Sequence, residues 1–165
     1  MKTFGVTTMI GVFLLFCTIG IQAQTTQTKL DQVELMKQII GKWQADVGKD
    51  TIEVWECQQY GKAIIVNVYQ VVKGHKTPIY INNIGFDSKE NKFKGYALWP
   101  DGNYSTWIGS FSTEKMYLVD MVHNFNPETV YAKFESETIS PKERNWTSFN
   151  KDGVQTSVLK FIKVE

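Results

Sequence analysis

Beyond Gly41, no connector between β-type segments is long enough to return the chain in parallel to the edge it left. Stretches rich in valine, isoleucine, threonine and aromatic residues run near 42–47, 51–58, 62–73, 77–87, 92–99, 104–112, 115–124, 129–139, 143–150 and 154–164. The clusters between them, such as Asp87-Ser88-Lys89-Glu90-Asn91, Pro100-Asp101-Gly102-Asn103 and Asn150-Lys151-Asp152-Gly153, are hairpin chemistry. A parallel crossover needs roughly a dozen residues or more, so consecutive strands must be antiparallel. A long meander leaves two unpaired edges, and closing it removes both. The pattern therefore predicts an all-β chain, a closed antiparallel up-and-down barrel of about 8–10 strands. Ahead of it, Leu30, Val33, Leu35, Met36, Ile39 and Ile40 recur at helical spacing within 29–40, and Gly41 is a stop signal. No repeat, low-complexity run or linker divides the chain, so one domain is expected.

The N-terminus reads differently. Lys2 precedes an uncharged apolar run from Phe4 to Ile21, and Ala23 offers a small residue before a cut. Residues 1–23 are expected to be a secretory signal peptide with Gln24 as the mature start. The competing reading is a membrane anchor, because the run approaches the ~18 residues of a span. Leu14-Leu15-Phe16-Cys17 matches a lipobox poorly, with bulky Phe16 where a small residue belongs. The expected location is exported, periplasmic or extracellular, with no stable membrane insertion after cleavage. Residues 24–34 are expected to be a loose stretch and the start of the helix, and 35–165 the barrel.

Cleavage changes the charge balance. Of 18 basic residues Lys2 leaves with the signal, and the remainder equal the 17 acidic ones. A neutral chain has no broad footprint for nucleic acid. Cys17 also leaves, so Cys57 stands alone, with neither an internal disulfide nor a multi-cysteine metal site available. The expected partner is a small apolar molecule, and the expected state a monomer or weak dimer.

Five tryptophans and seven tyrosines are a heavy aromatic load for strands alone. Period-two reading gives faces mixing aromatic and polar groups: Ile65, Asn67, Tyr69, Val71; Phe93, Gly95, Ala97, Trp99; Ser105, Trp107, Gly109, Phe111; and Tyr117, Val119, Met121, His123. Glycines among aromatics imply close backbone approach or room for a guest. Tyr69, Trp99, Trp107, Tyr117 and His123 are the candidate cavity lining. His123 could ligate haem iron or move protons, although a lone histidine on an apolar strand usually serves structure. His75 reads as a turn residue. No zinc-protease, phosphate-loop, dinucleotide or nucleophile-elbow motif occurs. Glu53 and Glu56 fall on opposite strand faces, and Asp120 on the face opposite His123. No catalytic residue, metal ligand or resident cofactor is expected, with haem on His123 as the alternative.

In "QIIGKWQADVGKDTIEVWEC" a glycine and a tryptophan mark the passage from helix to first strand. Gly41-Lys42-Trp43 resembles the signature of the lipocalin and wider calycin group. The text "GFDSKENKFKGYALWPDGNYSTWIGSF" is similar to an uncharacterised bacterial lipocalin-like family, and the likeness covers about residues 35–165. It implies a barrel whose floor is plugged by Trp43, with a ligand-holding habit and no defined reaction. In calycins a cation near the chain end often stacks over this tryptophan; here the candidates are Arg144, Lys160 and Lys163. The chain departs from vertebrate lipocalins in lacking their disulfide pair and a Thr-Asp-Tyr motif. The resulting expectation is a passive carrier. Two other classes stand beside it: an interaction or inhibitor protein with a solid barrel and an exposed aromatic patch, and a haem-binding or small-molecule enzyme barrel.

Overall fold

The Asp31 side chain accepts a hydrogen bond from the Glu34 amide at 3.0 Å and so caps α1 (Gln32–Met36). A single 3-10 turn, Lys37–Ile39, follows. In this computed structural model residues 30–164 are described; the expected signal peptide, the expected cut before Gln24 and residues 24–29 lie outside the described residues. The helix is shorter than the apolar spacing over 29–40 predicts, and the cause is local. The Trp43 indole N–H donates to the Ile39 carbonyl at 2.8 Å, the acceptor a longer helix would offer to the backbone amide of residue 43. Ile40 is already extended, and Gly41 carries φ +121°, a conformation that favours glycine. The chain thus turns directly into the first strand.

The strands are β1 (Gly41–Gly48), β2 (Thr51–Tyr60), β3 (Ala63–Val72), β4 (His75–Asp87), β5 (Lys92–Leu98), β6 (Tyr104–Phe111), β7 (Met116–Val122), β8 (Ala132–Ser140), β9 (Glu143–Asn150) and β10 (Gln155–Lys163). Each pairs antiparallel with its neighbours in sequence, and β1 pairs with β10, so the ten form a closed up-and-down barrel. The closing seam is short: Trp43 lies opposite Lys163 and Gln44 opposite Ile162, with the Val164 amide bonded to the Lys42 carbonyl at 2.8 Å. Among the described residues no helix is long and apolar enough to cross a membrane.

The helical segment seals one end. Gln32 is buried and binds the end of β6 in both directions, donating to the Phe111 carbonyl at 3.0 Å and accepting from the Phe111 amide at 2.7 Å. Gln38 donates to the Glu114 carbonyl at 3.0 Å and accepts from Thr138 Oγ1 at 3.1 Å. Gln32 therefore belongs to the packed unit, whose beginning lies ahead of the expected boundary at 35. Behind the helix Trp43 is 1% exposed and Phe161 wholly buried. The Arg144 guanidinium lies over the Trp43 ring, 4.8 Å from its centroid, with Lys163 Nζ at 5.4 Å. Lys160 instead pairs with Glu143 at 2.7 Å.

Trp43→Ala removes the plug, its indole hydrogen bond and the surface on which Arg144 stacks. It is expected to destabilise the protein by about 3–5 kcal/mol, the usual cost of deleting a large buried aromatic. Urea unfolding of the two proteins measures this, and a near-neutral result contradicts the floor assignment.

Candidate functional site

The reversals of a meander alternate between the two ends of a barrel. The end opposite the helix carries the turn at 99–103 and the connection at 123–131. Between the two ends the interior encloses a cavity of about 200 Å³. Ile39 and Arg144 reach it from the helical end, Ala97, Trp99 and Ser105 from the other, with Val66, Trp107 and Val119 between them.

Two glycines keep this space open. A Cβ on Gly95 would lie 2.2 Å from the Trp107 ring, so the indole of β6 rests flat on the backbone of β5. Its Nε1 donates to Asn82 Oδ1 at 3.0 Å, which fixes the ring against the wall. A Cβ on Gly109 would lie 2.6 Å from the Tyr117 hydroxyl, so the phenol of β7 crosses β6 in the same way. Tyr117 then packs on Phe111, ring centroids 4.8 Å apart. Large residues thereby line the wall without filling the middle.

The opposite wall is a second aromatic layer. Trp55 meets Trp146 edge to face at 5.0 Å, and Trp146 stacks on Phe134 at 5.4 Å. Near the end opposite the helix Tyr80 lies 4.8 Å from Trp99.

Of the residues expected from sequence, Trp99, Trp107 and Tyr117 come together on the cavity, while Tyr69 and His123 do not. Tyr69 faces away from it: its hydroxyl donates to Glu56, and Lys76 Nζ sits 3.5 Å from its ring centroid. Both faces of β3 carry bulky apolar residues, and the inward one is Ile64, Val66 and Val68. Alternation alone cannot say which face is inside in such a strand. His123 is exposed, one residue past the end of β7. It stacks on Tyr131 at 4.8 Å, and its amide donates to Thr129 Oγ1 at 2.8 Å. Asn124 and Phe125 are both left-handed, with φ 50° and 59°, and turn the chain off the barrel there. Trp99 also lies past its strand, but its amide bonds the Asn103 carbonyl at 2.9 Å and prolongs the β5–β6 pairing, which keeps the ring at the cavity.

Trp55, Trp146 and Arg144 line the cavity without having been expected there. The signal for Trp55 was its position in β2, directly opposite Trp43 and so on the same face. Arg144 and Trp146 are two apart in β9 and share a face by the same rule.

The titratable groups on the cavity are Cys57, Tyr80, Tyr117 and Arg144. Burial pushes the Cys57 thiol up to about 12, only partly opposed by Arg144 and Lys163, and raises both tyrosines. Burial lowers Arg144 to about 10, so the guanidinium is charged at neutral pH. None of these four groups exchanges a proton near pH 7. No cluster of three or more His, Cys, Asp or Glu among the described residues could hold a metal. His75, the other histidine of the described residues, is exposed, so the haem reading through His123 finds no histidine on the cavity. No protein-family model matches the chain, and no curated protein matches it.

Gly95→Ala forces the Trp107 ring off the wall and breaks its bond to Asn82. It is expected to cost about 1–3 kcal/mol, as overpacking does. Gly85→Ala, whose Cβ would meet nothing nearer than 3.9 Å, is the control and should be neutral or slightly stabilising. Thermal unfolding of both variants, with near-ultraviolet circular dichroism to follow the indole, checks the contrast.

Proposed function

We infer that this chain is an exported lipocalin-like carrier that holds a small apolar or amphipathic molecule inside its barrel. The observation that supports it is the cavity, walled by aromatic rings that Gly95 and Gly109 allow to lie flat. An apolar cavity of about 150 Å³ is known to accept benzene. The ~200 Å³ here suits a guest of about eight non-hydrogen atoms by that measure. Binding would draw on buried apolar area, at ~25 cal/mol per Å² before association costs. No proton-transfer agent lies on the cavity, which argues for a passive role over an enzymatic one.

A docking role has one observation in its favour. Ile81, Leu98 and Tyr104 lie side by side across β4, β5 and β6 and are 44%, 46% and 63% exposed. An apolar strip of that kind is a common feature of contact surfaces. Such a protein has no need of an open interior.

Ala97→Leu distinguishes the two. Added carbons in an open cavity should leave the unfolding midpoint nearly unchanged and lower the affinity for a small aromatic probe such as toluene at least tenfold. In a solid interior the same change overpacks and costs ~1–3 kcal/mol. Trp55, Trp99, Trp107 and Trp146 all line the cavity, so tryptophan emission reads the binding directly. Absence of saturable binding in the unaltered protein contradicts the carrier reading.

A further inference from the structure

Arg144 is 3% exposed, yet among the described residues it forms no ion pair. One guanidinium nitrogen donates to Thr138 Oγ1 at 3.3 Å, and Nε has no hydrogen-bond partner. A buried cation left without a counter-charge is costly, and buried polar groups are nearly always partnered. Among the described residues no carboxylate pairs with it. Cys57 is held neutral by burial, and Lys163 brings a second cation to the same tryptophan. The inward carboxylate of β2, Glu53, accepts from Trp55 Nε1 at 2.7 Å.

Arg144 does not stand alone. Ser136 is 2% exposed and its hydroxyl has no partner. It lies two residues from Thr138, the residue opposite Arg144, and so occupies the next inward position along the adjacent strand. The Tyr117 and Ser105 hydroxyls on the cavity are also buried and unpartnered. Each of these four groups can donate a hydrogen bond, and a guanidinium N–H can do nothing else. A neutral hydrocarbon would leave the guanidinium at the helical end unsatisfied. An oxyanion there accepts from Arg144, with Ser136 the next inward donor along the adjacent strand, and neutralises the guanidinium.

The geometry points to a guest that is a small apolar carboxylic acid, its carboxylate docked on Arg144 with Ser136 as the neighbouring donor, and its apolar part lying past Trp107 toward Trp99. This rests on the carrier reading and narrows it. The size of the cavity selects acids such as benzoate or hexanoate.

Matched pairs test it: benzoate against benzyl alcohol and hexanoate against hexan-1-ol, titrated calorimetrically into the purified protein at pH 7. Each acid should bind at least tenfold more tightly than its alcohol. Arg144→Met should remove that preference while leaving alcohol binding within a factor of three. Because Arg144 also stacks on Trp43, this variant can fail to fold, and Ser136→Ala then decides. Ser136→Ala removes an unsatisfied buried hydroxyl, so it should keep or raise the melting temperature of the empty protein, yet weaken acid binding about five- to tenfold. Equal affinity for acid and alcohol overturns the carboxylate proposal and leaves the carrier reading standing. A folded Arg144→Met that keeps the preference overturns it too, as does unchanged acid affinity in Ser136→Ala. If no member of either pair binds, both readings fall together.

Discussion

The indole of Trp43 ties together three parts of the chain that are remote in sequence. Its N–H holds the Ile39 carbonyl, which ends the helical segment where the first strand must begin. Its ring carries Arg144 from β9 and Lys163 from β10. The β1–β10 seam closes beside it through few residue pairs, so the plug supports the weakest junction of the barrel. A closed meander satisfies its backbone hydrogen bonds around the ring and leaves no edge for another chain. It leaves two ends instead, and the helix with Trp43 stops one of them.

A ten-stranded ring is wide, and its interior must be either filled or lined. Here it is lined. Trp107 and Tyr117 are large enough to reach toward the centre, but each lies along the wall over a glycine of the adjacent strand. On the facing side Trp55, Phe134 and Trp146 pack on one another. The space left between is apolar around the waist and carries an uncompensated cation at the helical end. That division of character, more than the volume, is the ground on which an amphipathic guest is proposed.

The strands were legible because their limits are set by local chemistry. Turn residues at 88–91, 100–103 and 150–153 reverse the chain wherever they occur, and the connectors left no topology except consecutive pairing. The closed ring of ten agrees with that reasoning. The helix was over-extended because its end depends on Trp43, a residue outside it. Inward faces were legible in β5 and β6, where glycine alternates with aromatics, and illegible in β3, where Ile65 and Val71 on one face look like Ile64 and Val66 on the other. His123 was assigned by extending the β7 alternation one residue too far; the local sign was Asn124, a residue type tolerant of the left-handed region and the first of the left-handed pair Asn124-Phe125. The role of Arg144 on the cavity depends on which acceptors are missing around it, a property of the packed interior that no local pattern encodes.

Crystals held under xenon pressure probe the open apolar interior most directly, because xenon enters dry apolar cavities of this size. Xenon density is expected inside the barrel between Ala97, Trp107 and Val119, with those side chains undisplaced. An interior that takes up no xenon, with Trp107 and the facing Trp146 meeting across the middle, would contradict it.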